Sequence, residues 1–206
     1  MWKTLQKGEL IVEKGRIYCV MGKSASGKDT IYKELLSDAS LELKTIVPYT
    51  TRPVRFGEHE GVEYHFSDET AMREFERQGK LIEARCYDTV HGKWYYFTVD
   101  DGQIDLANSS YIVLGTLESY EAMCSYYGKD VMIPVYIEVE DGIRLERALY
   151  REKQQKNPKY AEMCRRFLAD VADFCEENIQ KCGITRRYYN NVLEDCIAQI
   201  KRELFY

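Results

Sequence analysis

A glycine- and lysine-containing loop, Gly22-x-x-x-x-Gly27-Lys28, carries the residue types with the clearest chemical use in this chain. It follows an apolar run, Ile17 to Met21, and precedes apolar residues spaced as on one helix face (Ile31, Leu35, Leu36). Strand, glycine loop and helix in this order are the context of a phosphate-binding P-loop. Main-chain N–H groups and the helix N-terminus attract the phosphates, and the lysine reaches the outer ones. The residues predicted to bind the phosphates are Gly22, Ser24, Ala25, Ser26, Gly27, Lys28, Asp29 and Thr30.

The position after Lys28 departs from the usual P-loop pattern. That position normally holds Ser or Thr, whose hydroxyl contacts Mg²⁺, whereas this chain has Asp29 followed by Thr30. A carboxylate beside phosphates is repulsive unless a cation neutralises it. We therefore predict that Asp29 helps to hold Mg²⁺ from the P-loop side and that Thr30 supplies the hydroxyl one position later.

A second cluster of basic and hydroxyl side chains follows the P-loop. Arg52 and Arg55 lie in a loop that prolines and a glycine stiffen, and their guanidinium groups are suited to clamping one phosphate. Tyr64 and Tyr95 offer hydroxyl donors, and Glu83 offers a carboxylate that can accept from the N1–H and the exocyclic amine of guanine. Taken singly, these residues are equally compatible with a solvated loop, strand packing and a surface carboxylate.

Composition limits the class of protein. The chain has 206 residues, 45% hydrophobic and 31% charged, as expected of one globular domain. Its net charge of -5 gives no support to a nucleic-acid-binding scaffold. No apolar run has membrane-spanning length, and the first residues, Met1 to Lys7, are too polar for a signal peptide. The seven cysteines form no Cys-x-x-Cys pair, which indicates reduced thiols and a cytoplasmic location, and the three histidines do not cluster as metal ligands.

Strand-like and helix-like segments alternate along the chain, which predicts a parallel sheet with helices on both faces. A helix follows the P-loop, another opens at Ser67 to Glu69, and a turn at His91 and Gly92 joins two strands. Two long helices are separated at Asn157-Pro158, and an amphipathic helix closes the chain. The predicted strands are 17–21, 45–49, 62–66, 80–87, 93–99, 111–115, 131–139 and 186–190, and the long helices are 141–156 and 159–181.

The second cluster resembles the nucleoside-monophosphate segment of the guanylate kinase family. The matching stretches are Thr50-Thr-Arg-Pro-x-Arg-x-Gly-Glu58, Gly61-Val-Glu-Tyr-His-Phe66, Leu81-Ile-Glu83 and His91-Gly-Lys-Trp-Tyr95. The resemblance implies an α/β P-loop fold of three layers with a parallel sheet, a small mixed α/β insert that binds the monophosphate, and a helical lid. In a single domain, 1–206, it places the core at 1–44, 100–140 and 182–206, the insert at about 45–99 and the lid at about 141–181.

The resemblance also implies an activity. The expected reaction is transfer of the γ-phosphoryl group of ATP, with Mg²⁺, to GMP or dGMP, by a monomer or homodimer with no nucleic-acid or membrane partner. Arg52, Arg55, Tyr64 and Tyr95 would hold the acceptor phosphate. Glu58 would support their loop, and Glu83 would read guanine.

The second half of the chain resembles the family more loosely. Arg147 and Arg151 lie four residues apart on one helix, and Arg166 lies on the next. The resemblance gives the corresponding arginines a place in the lid, where they stabilise charge on the transferring phosphoryl group. Spacing alone fits an ordinary charged helix surface equally well. Asn190 is similar to a family residue near the adenine of ATP, and its neighbour Asn191 is an alternative.

Three segments depart from the family pattern. Pro48 stands where the family has a serine that contacts guanine, and it offers no side-chain donor. After Tyr95 the family has a small residue and a hydroxyl, whereas this chain has Tyr96 and Phe97 before Thr98. The carboxylates expected near the acceptor and the metal are replaced by Gly115 and Leu117, with Thr116 and Glu118 as nearby substitutes.

These departures leave two alternatives open. One is a kinase with a different nucleotide or a sugar phosphate as acceptor. The other is a non-catalytic domain that uses the monophosphate site to bind a phosphorylated ligand, against which the intact Gly27 and Lys28 argue.

Overall fold

A computed structural model describes residues 15–55, 57–89 and 92–205. The predictions for the first residues, Met1 to Lys7, for the start of the core at residue 1 and for His91 in the hairpin turn therefore lie outside the described residues.

The central sheet has five parallel strands, and its first strand carries the P-loop at its carboxyl end. Every residue of this strand is buried, as the unbroken apolar run predicts for a strand covered on both faces. In spatial order the strands are β2 (Leu43–Thr45), β7 (Ser110–Leu114), β1 (Ile17–Met21), β8 (Met132–Glu138) and β9 (Arg187–Tyr189).

Helices cover both faces of this sheet. The described helices are α1 (Lys28–Ser37), α2 (Glu69–Arg77), α3 (Leu117–Tyr127), α4 (Asp141–Lys153), α5 (Tyr160–Asp173), α6 (Glu176–Lys181) and α7 (Leu193–Leu204). Successive side chains of a strand point to opposite faces. Accordingly, Cys19 packs in a cluster with α3 residues, and Val20 packs in another with α1 and α7 residues. This arrangement confirms the predicted three-layer α/β fold.

A second, smaller sheet is mixed and lies in the segment where the insert is predicted. Its four strands, in spatial order, are β4 (His65–Phe66), β3 (Tyr49–Thr50), β6 (Gly92–Val99) and β5 (Leu81–Thr89). Strands β3 and β4 are parallel, whereas β3–β6 and β5–β6 are antiparallel. Helix α2 covers one face through Met72, which packs with Phe97 and Val99. Asp68 caps this helix, as the Ser67–Glu69 start predicts.

Two predicted strands were wrong in their bounds. The strand expected at 45–49 is divided between β2, which ends at Thr45, and β3, which begins at Tyr49 in the other sheet. Pro48 lies between them and has no N–H for a ladder hydrogen bond. The strand expected at 62–66 is reduced to His65 and Phe66.

The helix expected at 159–181 is also corrected, because it is two helices. Helix α5 ends at Asp173 and α6 begins at Glu176. The break lets Phe174 and Ile179 both enter the core cluster under the sheet, where the Phe174 ring lies 5.9 Å from the Tyr136 ring. The predicted division into core, insert and lid stays a prediction.

Candidate active site

The P-loop connects β1 to α1 and leaves the helix N-terminus open. Gly27 is the N-cap of α1, with a φ of 86°, and no side chain of the described residues caps the helix. A Cβ at Gly27 would lie 2.3 Å from Asn190 Nδ2, so both the backbone angle and the space require glycine. The first N–H groups of α1 are therefore available to an anion.

Lys28 and Asp29 form an ion pair at the mouth of this loop. Lys28 Nζ lies 3.0 Å from Asp29 Oδ2, and both Asp29 and Thr30 are exposed. The described residues contain no group of three or more His, Cys, Asp or Glu side chains able to hold a metal ion by themselves. Oxygen ligands from one or two exposed side chains fit Mg²⁺ that arrives bound to nucleotide phosphates, because Mg²⁺ usually keeps phosphate and water ligands.

Asn190 stabilises the backbone of the P-loop through a hydrogen bond. Its side-chain amide donates to the Ser26 carbonyl at 2.8 Å, and the residue is buried at 3% exposure. Arg147 in turn donates to the Asn190 carbonyl at 3.1 Å. The predicted adenine contact of Asn190 stays a prediction. In this structure the side chain fixes the backbone that would hold the phosphates, and the alternative Asn191 is exposed.

A second support was missed in the sequence. Asp170 of α5 accepts a hydrogen bond from the Ser24 amide at 2.8 Å, and Arg144 of α4 donates to the Ser24 carbonyl at 3.0 Å. Arg144 is fully buried and also pairs with Asp141 at 2.9 Å. These residues lie more than 100 positions from Ser24 along the chain, and no local pattern indicates the contact.

Two of the three predicted lid arginines come together. Arg151 and Arg166 line one cavity of about 120 Å³ that also contacts Ser24 of the P-loop. Arg166 is paired with Glu162 at 3.1 Å, and both arginines are exposed. Arg147 does not line this cavity, because its guanidinium bonds the Asn190 carbonyl instead.

Arg52 is buried and is held in place by Glu58 of the same loop. It is 3% exposed and forms a two-bond pair with Glu58, with Nη1 and Nη2 at 2.7 and 2.6 Å from the carboxylate oxygens. Its guanidinium carbon lies 4.9 Å from the centre of the Tyr64 ring. Its Nε has no partner among the described residues. Glu58 also accepts from the Arg55 amide at 2.9 Å, whereas the Arg55 side chain is exposed.

Glu58 makes the loop sensitive to acid. The hydrogen bonds from Arg52 lower the pKa of Glu58 from 4.5 to about 2. A lowered folded-state pKa contributes stability above the unfolded-state value, and this contribution is lost as the pH falls towards the folded-state value. We expect Glu58→Gln to lower the unfolding free energy in urea near pH 7, and the difference from the parent protein to shrink between pH 4.5 and 2. An equal difference at all pH values would contradict the assigned role of this carboxylate.

A β-bulge places Glu83 and Arg85 on the face of the smaller sheet opposite to α2, which is its inner face. The register between β5 and β6 shifts between Leu81 and Glu83, so that Ile82 packs in the main core and Glu83 pairs with Thr98. Glu83 is 6% exposed and accepts from the Thr98 hydroxyl at 2.8 Å. Arg85, two residues on and on the same face, donates to Glu83 through Nε at 2.9 Å. Bulges commonly redirect side chains in this way.

Tyr95 lies away from Tyr64, and its predicted role in holding the acceptor phosphate stays a prediction. Tyr95 packs on the other face of β6, against the cluster of Phe97 and Val99 beneath α2. Tyr96 points inward instead, with its ring centre 5.6 Å from that of Tyr64. Burial raises the pKa of Tyr64, which keeps its phenol protonated as a donor. Alternation along β6 was the available signal, because it puts Tyr96 on the face of Thr98 and Tyr95 on that of Phe97.

No carboxylate occupies the two positions where the resemblance expects them. Leu117 is buried at the start of α3, and Thr116 caps this helix by accepting from the Ser119 amide at 3.2 Å. Thr116 also lies 3.5 Å from Arg85 Nη1, whereas Glu118 is exposed. Thr116 is therefore the substitute that contacts the inner face of the insert.

Gly115 has no room for a side chain. A Cβ there would lie 2.5 Å from Cys19 Sγ and 3.1 Å from Ser119 Oγ. We expect Gly115→Ala to lower the unfolding free energy in urea by about 1–3 kcal/mol through overpacking. In a Cys19→Ala background the same substitution should cost less, because the sulfur is absent. An identical cost in both backgrounds would contradict this packing explanation.

Comparison with known proteins finds consistent matches. The family model described as Guanylate kinase matches residues 14–100. The guanylate kinase of Mycoplasma mobile is 29% identical over 95% of this chain and 94% of its own length. The guanylate kinase of Mesorhizobium japonicum is 41% identical, over 48% of this chain and 44% of its own. The crystal structure of guanylate kinase from Anaplasma phagocytophilum superposes with a TM-score of 0.59 at 20% identity, covering 92% of this chain and 84% of that one.

The matches differ in extent. The chain spans nearly the whole Mycoplasma mobile protein, but only about two fifths of most other curated relatives that it matches, such as the 40% of the Mycoplasma genitalium protein. None of the helices in the described part of the chain is both long and apolar enough to cross a bilayer.

Proposed function

We infer from these similarities that the chain is a member of the guanylate kinase family, and from this premise we propose that it transfers the γ-phosphoryl group of ATP to GMP or dGMP. The products are ADP and GDP or dGDP. The observation that carries the proposal is the contact of Arg85 Nη1 with Thr116 Oγ1 at 3.5 Å. It joins the inner face of the insert to the carboxyl end of β7, the neighbour of the strand that carries the P-loop. We infer from this contact that the P-loop and the loop of Arg52 face each other across one cleft.

The donor side holds the triphosphate. The open N-terminus of α1 and Lys28 receive the outer phosphates, while Asn190 and Asp170 keep the loop backbone in place. Asp29 and Thr30 would hold Mg²⁺ that arrives with ATP, and the ion would neutralise charge on the phosphates. Arg151 and Arg166 face the same loop and are suited to stabilise charge on the transferring group, and Arg147 remains a candidate for this role.

The acceptor side holds the monophosphate. Arg52, the exposed Arg55 and the hydroxyls of Tyr64 and Tyr96 would position its phosphate. Glu58 fixes Arg52, and Glu83 accepts from the base. No protein base is required, since the acceptor phosphate is already anionic near neutral pH. Closure of the lid helices excludes water as a competing acceptor.

An ADP-release assay with a panel of acceptors tests the proposal. With ATP and Mg²⁺, we expect GMP and dGMP to give the highest kcat/KM, above AMP, CMP, UMP and simple sugar phosphates. Turnover with a different acceptor, but not with GMP or dGMP, would show that the protein is a kinase with another substrate. Saturable binding of GMP without ADP release would instead support a non-catalytic phosphate-binding domain.

The seven cysteines are free, and we propose a cytoplasmic enzyme, in which reduced thiols are the normal state. The oligomeric state, a monomer or a homodimer, stays a prediction.

A further inference from the structure

Two segments of the chain connect the central sheet to the smaller sheet. The outgoing segment lies between β2, which ends at Thr45, and β3, which begins at Tyr49. The returning segment lies between β6, which ends at Val99, and β7, which begins at Ser110. Because β3 leads directly into the loop of Arg52, the position of this loop relative to the P-loop depends on how the two segments are held.

Val47 is the residue at which the outgoing segment passes from one sheet to the other. The Ile46 amide still donates to the Ile112 carbonyl of the central sheet, at 3.3 Å. The Pro48 carbonyl already accepts from the His65 amide of the smaller sheet, at 2.9 Å. The amide and the carbonyl of Val47 belong to neither ladder, so they need partners from elsewhere.

The side-chain amide of Gln103, in the returning segment, bonds both of these backbone groups. Its Oε1 accepts from the Val47 amide at 2.8 Å, and its Nε2 donates to the Val47 carbonyl at 3.3 Å. Asp101 orients the glutamine, because its Oδ1 accepts from the Gln103 amide at 3.0 Å and from Nε2 at 3.1 Å. Asp101 is itself fixed by the Tyr49 hydroxyl, which donates to Oδ2 at 2.8 Å. The half-buried Gln103 therefore joins the two segments as a neighbouring strand would.

Other contacts between the smaller sheet and the core lie outside the two segments. They include Ile82, which packs in the main core cluster, and the hydroxyl of Tyr126, which donates to Asp100 at 2.9 Å on the surface. Gln103 differs from these side chains because it bonds main-chain atoms on the path to the acceptor loop. Its loss would free the backbone of Val47, and hinges are built from a few such residues between elements.

We propose that Gln103 is a positioning residue of the proposed kinase, which holds the smaller sheet at the angle that brings the acceptor phosphate in line with the γ-phosphoryl group. This inference rests on the proposed function, since it requires phosphoryl transfer. The groups that would bind the acceptor, including Arg52, Tyr64 and Glu83, all lie in the smaller sheet and its loops. Loss of Gln103 therefore leaves acceptor binding intact and changes the alignment of the two bound nucleotides, where a displacement of about 1 Å costs on the order of 100-fold in rate.

The kinetic test replaces Gln103 by methionine, which keeps the length of the side chain and removes its hydrogen bonds, and by alanine. With ATP, Mg²⁺ and GMP, both variants should lose about tenfold or more in kcat. Calorimetric titration should give a Kd for GMP and a Kd for ATP within about twofold of the parent values, and its stoichiometry measures the folded fraction. Gln78→Met is the matched control and should keep the parent kcat, because Gln78 bonds Glu74 on the exposed surface of α2.

Hydrogen exchange measured by NMR tests the contact between Gln103 and Val47 without turnover. In Gln103→Met the Val47 amide should exchange about tenfold faster, which corresponds to the loss of one hydrogen bond. The Ile46 amide, bonded within the central sheet, should keep its parent rate. Unchanged exchange at Val47 would overturn the bond on which the proposal depends.

The outcomes separate this role from the proposed function. The parent kcat in both Gln103 variants, or a lower kcat accompanied by equally weaker GMP binding, would overturn the positioning role and leave the proposed kinase standing. A parent protein that binds ATP and GMP but forms no GDP would overturn the proposed function itself, and the positioning role with it.

Discussion

Replacing Lys28 by alanine is expected to lower kcat for GMP phosphorylation by at least about 100-fold while leaving the fold intact. The Nζ atom lies 3.0 Å from Asp29 Oδ2 at the mouth of the P-loop, and only 23% of the side chain is exposed. Removing it takes away the charge that meets the transferring phosphoryl group and leaves the Asp29 carboxylate unopposed beside the phosphates. Steady-state kinetics with saturating ATP and GMP would measure the loss.

Lys33→Ala is the matched control for Lys28, because Lys33 is an exposed lysine one turn further along α1. It should retain the parent kcat. Circular dichroism and urea unfolding would show whether Lys28→Ala is folded. A folded Lys28→Ala protein with the parent kcat would refute the P-loop as the donor site.

Replacing Arg52 by alanine is expected to raise the KM for GMP by about tenfold or more and to destabilise the protein as well. Arg52 is 3% exposed, and Glu58, its partner at 2.6 Å, is left with an uncompensated charge. Breaking such a pair from one side costs on the order of 3 kcal/mol. The Tyr64 ring, 4.9 Å from the guanidinium carbon, loses its cation contact in addition. Acceptor kinetics and urea unfolding measure the two effects separately.

Arg73→Ala provides the comparison for Arg52, since Arg73 pairs with Glu69 on the exposed face of α2. Arg73→Ala should leave the KM for GMP unchanged. It should change the unfolding free energy by no more than about 0.5 kcal/mol. If Arg52→Ala lost stability but kept the KM for GMP, Arg52 would have a purely structural role and the acceptor site would have to lie elsewhere.

The donor side of the site could be predicted from the sequence because its parts are adjacent in the chain. The buried run of β1, the glycine loop and the apolar face of α1 follow one another directly, so local spacing specifies them. The loop from Arg52 to Glu58 is similarly local, and its ion pair joins residues six positions apart. The parallel sheet with helices on both faces followed from the alternation of strands and helices, whereas the small mixed insert was implied by the family resemblance.

The other features of the site could not be predicted from local sequence. They depend on contacts between distant residues or on a single extra residue in a strand. The bulge at Ile82 turns Glu83 and Arg85 inward, and nothing in the local sequence distinguishes it from regular alternation. Alternation along β6 puts Tyr95 and Tyr96 on opposite faces, but which face turns away from α2 depends on how the strand is paired. The bonds from Arg144 and Asp170 to Ser24 join segments that meet only in the folded protein.

The central claim is that one protein holds a nucleoside triphosphate and a nucleoside monophosphate so that a phosphoryl group passes between them. Phosphorus NMR of the purified protein with ATP, Mg²⁺ and GMP tests this most directly. We predict that ADP and GDP appear in equal amounts, and that both form at least about 100-fold more slowly with Lys28→Ala. ATP that stays intact, or ADP that appears with inorganic phosphate and without GDP, would contradict the account.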